Sequence, residues 1–152
     1  MDTIVVPTRF GEIALTEEDG ALVRATWDGV PCGEQTPLLA EAARQLRAYD
    51  AGTLEDFDLP MDVRGSVALR AVCDAMRAIS FGHTRTYGEI AGDTGLSAQA
   101  VGQLCGANPL AIIIPCHRVI GSDGSLTGYA GGLHRKKWLL AHENPVKQGE
   151  LF

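Results

Sequence analysis

The stretch that decides the fold is TYGEIAGDTGLSAQAVGQLCG, residues 86–106. Its first residues, Thr86-x-x-Glu89, fit a capping box, in which each of these two side chains satisfies a backbone N–H of the first helical turn. A glycine-containing turn follows, and Ser97 can cap a second helix over residues 98–106. Two short helices joined by such a turn are typical of a helix-turn-helix unit.

The second of these helices has small side chains where a protein that reads the major groove would present long ones. No Lys or Arg occurs between Thr94 and His117, and the helix includes Ala98, Ala100 and Gly102. Reading base edges in the major groove requires long polar side chains. Small residues instead allow close approach of the helix backbone, which favours contact in the minor groove.

Downstream of the two helices, the chain places a cysteine after an apolar run. Residues 110–114 are continuously apolar, which is typical of a buried strand, and Pro115 and Cys116 follow directly. We therefore expect a nucleophile at the end of a rigid strand. The ordinary thiol pKa of about 8.5 leaves most of the thiol protonated at neutral pH, and His117 could accept that proton while Arg118 adds positive charge. A Cys-His pair alone is weak evidence for catalysis.

The upstream part of the chain predicts a small α/β unit. Segments rich in Ile, Val, Thr and Trp predict strands at residues 3–7, 11–16 and 21–27. Asp19-Gly20 predicts a hairpin turn between the last two strands. Thr36 and Pro37 predict the start of a helix that Gly52 ends.

Charge and a linker divide the chain into two predicted domains. Residues 1–62 carry 4 basic and 13 acidic residues, whereas residues 63–152 carry 9 basic and 6 acidic residues. The net charges of −9 and +3 weakly favour a module that faces nucleic acid beside a scaffold. Residues 57–60 resemble a linker, and Ser66 predicts a helix that Gly82 ends. We predict domains at residues 1–62 and 63–152, with a flexible tail from about residue 145.

Composition excludes several classes of protein. The chain is 45% hydrophobic and 21% charged, and it has no apolar run near the ~20 residues of a membrane span. No export signal is visible at the N-terminus, so we expect a cytoplasmic protein. The four cysteines form no C-x-x-C pair and the histidines lack zinc-ligand spacing, so we expect free thiols and no metal.

Several strings, taken together, resemble the O6-alkylguanine-DNA alkyltransferases, also called methylated-DNA–protein-cysteine methyltransferases. The most specific of them is PCHRVI at residues 115–120. The others are FDLP (57–60), YGEIA (87–91), AVG (100–102), NP (108–109), GYAGG (128–132) and KWLLAHE (137–143). They follow the order of the family and nearly its spacing, so the resemblance covers most of the chain.

The resemblance implies an α+β fold in which an RNase H-like N-terminal α/β domain precedes a winged helix-turn-helix-like domain that holds the active cysteine. It implies that the protein binds double-stranded DNA, flips the damaged nucleotide into a pocket, and takes the alkyl group onto itself once. The substrate is O6-alkylguanine, with O4-alkylthymine as a further possibility. We expect no cofactor and a monomeric protein that acts without a membrane.

The family motif also implies the roles of individual catalytic residues. Cys116 matches the alkyl acceptor. His117 matches the base that activates the thiol through a water, and we expect this relay to lower the thiol pKa. Glu143 matches the carboxylate that orients the histidine. Asn108 matches the asparagine that braces the turn after the recognition helix.

The substrate pocket and the DNA-binding helix are implied in the same way. Positions matching the substrate pocket are Tyr87, Val119, Tyr129 and Ala130; positions matching the DNA-binding helix are Ala98, Gln99, Ala100 and Gly102. Gln99 departs from the family, in which an arginine fills the stack that the flipped base leaves. The turn before Gln99 is about two residues shorter than in many relatives, and Cys73 and Ser80 replace a tryptophan and a proline. These departures bear on DNA affinity and rate more than on the chemistry.

Two other functions remain open from the sequence, together with one further partner. An alkyltransferase-like protein would bind the lesion without transferring the alkyl group, which the Gln99 change favours and Cys116 disfavours. A cysteine hydrolase would need an oxyanion hole that no motif here demands. The last residues, Gln148, Leu151 and Phe152, resemble the short peptide with which many bacterial DNA-processing proteins bind the replication sliding clamp.

Overall fold

Three segments rich in β-branched residues pair into an antiparallel sheet at the start of the chain. In the computed structural model these strands are β1 (Asp2–Thr8), β2 (Gly11–Glu18) and β3 (Ala21–Trp27), in that spatial order, which confirms the predicted strands. Asp19 and Gly20 connect β2 to β3 with φ angles of 54° and 80°. Both angles are positive, as the tightest hairpin turns require, and Asp-Gly tolerates them.

The first helix, α1 (Pro37–Asp50), begins where the sequence predicts and packs on β1 and β2. The Thr36 hydroxyl accepts a hydrogen bond from the Leu39 N–H at 3.1 Å, which caps the helix. On its buried face the Gln45 amide donates to the Asp58 carbonyl at 3.0 Å and accepts from the Asp58 N–H at 2.9 Å. This clamp fixes the segment that the sequence identified as a linker.

The structure describes residues 1–124, 129 and 131–144 and divides them into two units. One unit comprises Met1–Arg64 and Pro109–Ile113, and the other comprises Gly65–Asn108 and the described residues from Ile114 onward. The predicted tail from about residue 145 lies outside the described residues. Within them, no helix is both long and apolar enough to cross a membrane.

The second unit is mainly helical. Its elements are α2 (Val67–Arg77), β4 (Arg85–Thr86), α3 (Tyr87–Thr94), α4 (Ala98–Gly106), β5 (Val119–Ile120) and α5 (Leu133–Glu143). The capping box is present, with the Thr86 N–H 2.9 Å from Glu89 Oε1 and the Glu89 N–H 3.0 Å from the Thr86 hydroxyl. Gly95 ends α3 at a φ of 75°, and the Ser97 hydroxyl caps α4. The predicted pair of short helices is therefore confirmed.

Two predictions of local structure are wrong. Residues 110–114 form no strand, although all of them except the half-buried Ala111 are buried. Leu110 makes one bridge to Ala25, and the chain then turns at Ile112, whose φ is 68°. An apolar run in the sequence indicates that a segment is buried, but it does not establish that the backbone is extended. Helix α2 ends at Arg77 rather than near Gly82. Ile79 continues the apolar spacing, but its carbonyl accepts a hydrogen bond from Arg118 instead of one from the next helical turn.

Candidate active site

Cys116 lies in a short 3-10 turn, Cys116–Arg118, directly after Pro115, and not at the end of a strand. Its residue is 8% exposed. The Asn108 amide donates to the Ile114 carbonyl at 2.8 Å and also hydrogen-bonds the Cys116 thiol. Asn108 therefore holds the turn and the sulfur in one position, because a single amide group has two donor hydrogens.

Beside the thiol, His117 and Arg118 both bind Glu143, which is nearly fully buried. The Nε2 atom of His117 lies 2.7 Å from Glu143 Oε2. Arg118 donates from Nε to Glu143 Oε1 at 2.7 Å and from Nη2 to Oε2 at 3.0 Å, and its Nη1 donates to the Ile79 carbonyl at 2.7 Å. The bidentate arginine pair fixes the carboxylate, and the carboxylate fixes the imidazole.

Protonation in this cluster follows from burial and from the neighbouring charges. Burial alone would raise the pKa of Glu143, but His117 and Arg118 hold it well below its usual range, so it is ionised. Burial lowers the pKa of His117, with the positive charges of Arg118 and Lys136 adding to the effect, so the imidazole is neutral at pH 7. An ionised carboxylate can only accept, so Nε2 carries the hydrogen. The Nδ1 atom then has a free lone pair, and it makes no hydrogen bond within the described residues.

Burial raises the pKa of the Cys116 thiol, while Asn108 and Lys136 oppose the rise. The resting thiol is therefore protonated at neutral pH. The expectation that the histidine relay lowers the resting thiol pKa is wrong, because the cost of burying a thiolate exceeds the stabilisation that its neighbours provide. Any reaction of Cys116 as a nucleophile would therefore require removal of this proton.

Lys136 is a residue of this site that the sequence interpretation missed. It is fully buried, its Nζ lies 3.3 Å from the Tyr87 hydroxyl and 5.6 Å from the centre of that ring, and its charge interacts with Cys116. Burial lowers its pKa. A buried lysine is rare enough to indicate function. A signal existed: in helix α5 the position falls on the buried side with Leu139, Leu140 and Glu143.

A cavity of about 690 Å³ opens onto the thiol. Its wall includes residues predicted for substrate or DNA, namely Tyr87, Tyr129, Ala98, Gln99 and Gly102. Gln103, Cys105, Gly106 and Ser122 also line it, and the sequence interpretation had not assigned them a role in the site. Purine-sized ligands fit cavities of this order.

Of the remaining predicted residues, two do not line the cavity and four lie outside the described residues. Val119 is fully buried in β5 and Ala100 is half-buried, and neither lines the cavity. Ala130 and the three tail positions Gln148, Leu151 and Phe152 lie outside the described residues. No group of three or more His, Cys, Asp or Glu side chains in the described part of the chain is arranged to hold a metal ion.

Comparison with known proteins gives the site its context. Residues 68–145 match the DNA-binding domain family of 6-O-methylguanine DNA methyltransferase. A methylated-DNA–protein-cysteine methyltransferase of Mycolicibacterium paratuberculosis is 53% identical over 112 residues, which cover 72% of this chain and 68% of that protein. The chain belongs to this methyltransferase family. A second family member, from Methanosarcina acetivorans, is 48% identical and is covered to 72%, as is this chain.

Solved structures of methyltransferases agree along nearly the whole chain. The crystal structure of Mycobacterium tuberculosis O6-methylguanine methyltransferase matches with a TM-score of 0.83 at 38% identity, covering 94% of this chain and 92% of that one. The M. tuberculosis OGT structure in complex with DNA matches with a TM-score of 0.84 at 39% identity, covering 93% and 92%. This chain therefore has the α+β fold of the O6-methylguanine methyltransferase structures.

Proposed function

We infer that this protein repairs DNA by transferring an alkyl group from O6-alkylguanine to its own Cys116. The observation that carries the inference is the buried Cys116 beside a neutral His117 that an ionised Glu143 orients. Relatives that are about half identical are named methylated-DNA–protein-cysteine methyltransferases. The protein is thus a single-turnover DNA-repair methyltransferase.

The transfer is an in-line displacement at the alkyl carbon. The thiol proton passes to His117 Nδ1 through a bridging water, and the new positive charge lies against Glu143. The sulfur forms a bond to the alkyl carbon while the bond from that carbon to guanine O6 breaks. Guanine leaves as an anion and takes up one proton, and His117 gives up the proton it accepted from the thiol, so the base is released in its normal form and the imidazole is neutral again. The thioether is stable, so each molecule reacts once and needs no cofactor.

Substrate recognition requires that the nucleotide leave the DNA stack, because O6 is inaccessible within the duplex. Tyr87 and Tyr129 line the cavity beside Cys116, which supports roles in holding the flipped guanine. We propose that the Tyr87 hydroxyl donates a hydrogen bond to guanine N3, that the Val119 carbonyl accepts one from the guanine amine, and that the Ala130 N–H faces O6. We also propose that Ala98, Gln99, Ala100 and Gly102 of α4 contact DNA in the minor groove.

We also propose that the chain has the two domains that its sequence predicts. Residues 1–62 would form an RNase H-like scaffold, which is supported by a three-stranded antiparallel sheet followed by a helix. Residues 63–152 would form the winged helix-turn-helix-like domain that binds DNA and accepts the alkyl group, which is supported by α3, its turn and α4. The alternative of a lesion-binding protein without transfer is not favoured, because Cys116 is retained and the similar relatives are named as methyltransferases.

Intact-protein mass after incubation with O6-methylguanine DNA tests the function. We expect a gain of one methyl group per molecule, located on Cys116, and none in the Cys116→Ala variant, which should still bind DNA. Cys73→Ala is the matched control, because it removes another buried thiol of the same unit. Unmodified protein beside repaired DNA, or many repairs per molecule, would refute the proposal.

We further propose that the C-terminal residues Gln148, Leu151 and Phe152 bind a bacterial sliding clamp. Two apolar side chains in a clamp pocket would contribute ~3–6 kcal/mol before ordering costs, enough for weak tethering. Titration of the clamp should show binding that Leu151→Ala/Phe152→Ala abolishes while free-base alkylation persists. A tail peptide without affinity at high micromolar concentration would refute the clamp proposal.

We also propose that the protein acts as a monomer. Sedimentation as a dimer would refute that proposal.

A further inference from the structure

Helix α4 presents two exposed glutamines on the wall of the active-site cavity. Gln99 and Gln103 stand one helical turn apart and both line the cavity that contains Cys116. Residues at this spacing share one helix face, with Cβ atoms about 5–6 Å apart. The resemblance to the family implies a role for Gln99 but none for Gln103.

The amide groups of both glutamines are unused by the fold. Neither side chain makes a hydrogen bond with any described residue. Gln45 shows the contrast, because its buried amide binds Glu41 and both backbone groups of Asp58. An amide that braces the fold is buried and fully paired, whereas the two amides on α4 face the cavity with their hydrogen-bonding capacity available.

We propose that Gln103 is a second DNA-contact residue, whose amide hydrogen-bonds the minor-groove edge of the base pair next to the lesion while Gln99 occupies the position of the flipped base. The proposal rests on the proposed repair of duplex DNA. Successive bases along a strand are about 3.4 Å apart, so side chains 5–6 Å apart reach positions one or two base steps from each other.

The chemistry of the amide suits the minor groove. Every base pair offers an acceptor there, adenine N3 or the O2 of thymine among them, and a G·C pair adds the guanine N2 donor. An amide supplies two donor hydrogens and one acceptor, so it can bond to either type of edge. Gly102 and Gly106 line the cavity on either side of Gln103 and add no side chain that would limit its reach.

The contact would be uncharged. Helix α4 carries no Lys or Arg, so the hydrogen bonds of Gln103 would not depend on the release of counterions from phosphates. These hydrogen bonds would fix the position of the lesion and make repair depend on the flanking sequence, and they would add little to the affinity for DNA in general. Because only a G·C pair presents a donor in the minor groove, the strength of the contact should depend on the flanking pair.

Single-turnover repair of duplexes tests the proposal. O6-methylguanine is flanked by A·T or by G·C, and free O6-benzylguanine serves as the substrate without DNA. Gln103→Ala should slow duplex repair by about two- to tenfold, the value of one hydrogen bond, with a different factor for each flanking pair. The free-base rate should stay within twofold of the unmodified protein. Gln35→Ala, at an exposed glutamine of the other unit, is the matched control and should change neither rate.

A second variant separates hydrogen bonding from packing. Gln103→Leu keeps most of the side-chain volume but has no amide, so it should be as slow as Gln103→Ala on duplex DNA. Full duplex activity in either variant would overturn the proposal, as would an equal loss with the free base, which would assign Gln103 to the shape of the cavity. The absence of any transfer by the unmodified protein is a distinct result, and it would refute the proposed function itself.

Discussion

Glu143 accepts hydrogen bonds from both His117 and Arg118, and this single carboxylate decides which nitrogen of the imidazole carries the hydrogen. Because the carboxylate is ionised, the imidazole of His117 must carry its hydrogen on Nε2, which leaves Nδ1 as the base of the proposed mechanism. Arg118, adjacent in sequence to His117, has the structural task of holding the carboxylate rather than activating the thiol directly. At the scale of residues, the proposed catalysis therefore depends on a buried charge pair that orients an uncharged base.

Glu143→Gln should slow alkylation of Cys116 by at least about tenfold, since general-base catalysis contributes about 10²–10⁴-fold. The loss should be similar for O6-benzylguanine and for duplex DNA, because the relay acts on the thiol and not on DNA binding. The variant should also lose about 3–5 kcal/mol of stability, since Arg118 keeps a buried charge without its partner. Rates are measured where circular dichroism shows the variant folded.

Asp74→Asn is the control for this variant, because it makes the same change of carboxylate to amide at an exposed position of α2. It should alter neither rate nor stability appreciably. A defect of Glu143→Gln confined to duplex DNA would contradict the relay and assign Glu143 to DNA binding.

The buried charge of Lys136 predicts a pH effect on the thiol. Since burial raises the pKa of Cys116 and Lys136 opposes that rise, free-base alkylation should increase with pH through the alkaline range. Lys136→Met removes the positive charge, so the thiol pKa should rise further and the rate increase should move to higher pH. The measurement is the rate of O6-benzylguanine transfer between pH 6 and 10.

Lys137→Met is the matched control, because Lys137 is the exposed neighbour on the same helix. Its pH profile should equal that of the unmodified protein. A uniform loss of rate in Lys136→Met, with no displacement along the pH axis, would show that Lys136 contributes through packing and not through its charge.

At the scale of elements, α4 has a capped first turn and a surface without charged side chains. The Ser97 hydroxyl caps its first turn, and Val101 and Cys105 bury its inner side. The cavity side carries Ala98, Gly102 and the two glutamines. A helix with this surface can approach a nucleic-acid backbone closely but gains little from charge, so in the proposed complex Gln99 is the side chain that would fill the space of a flipped base.

Gln99→Arg should speed repair of duplex DNA and leave the reaction with free O6-benzylguanine unchanged. An arginine is longer and its planar guanidinium stacks on bases, whereas flipping a base costs a few kcal/mol that a good stack-filling side chain offsets. We expect a gain of about three- to tenfold, corresponding to roughly 1 kcal/mol. Single-turnover rates on both substrates measure it.

The matched control for this substitution is Gln35→Arg, which adds the same charge at an exposed position far along the chain. A similar gain in that variant would indicate a general effect of positive charge. No gain from Gln99→Arg would mean that another side chain fills the stack or that none is required.

At the scale of the whole molecule, the distribution of charge limits how strongly the protein holds undamaged DNA. The net charge is −6, and the second predicted domain reaches only +3. Of its basic residues, Arg118 and Lys136 are buried and Arg85 is ion-paired with Asp93. Arg64 is also ion-paired, with Glu18 and Asp62. At most five of the nine basic residues are then left to bind phosphates, so specific recognition of the lesion must supply much of the affinity.

Binding of an undamaged duplex should therefore be weak and depend only shallowly on salt. Each neutralised phosphate contributes about −0.9 to the slope of log K against log salt concentration, so we expect a slope shallower than about −4. Fluorescence anisotropy between 50 and 300 mM salt measures it. A steep slope, as for a protein with six or more phosphate contacts, would contradict this account of the charge.

Local pattern determined much of the fold. The three strands, the Asp19-Gly20 turn and the caps at Thr36, Ser66, Thr86 and Ser97 were all predictable, because each depends on residues within one turn or hairpin. The family and its cysteine were also apparent from PCHRVI and the other strings. Residues 110–114 were not predictable as a turn, because a buried turn and a buried strand leave the same apolar run in the sequence.

Tertiary structure decided the electrostatics of the site. The sequence placed Cys116 beside His117, but only the fold brings Glu143 and Lys136, which lie more than 15 positions further along the chain, against them. Burial then reverses the expected shift of the thiol pKa, because desolvation depends on every element packed around the sulfur. The identity of the nucleophile is thus a property of the sequence, whereas its protonation state is a property of the folded environment.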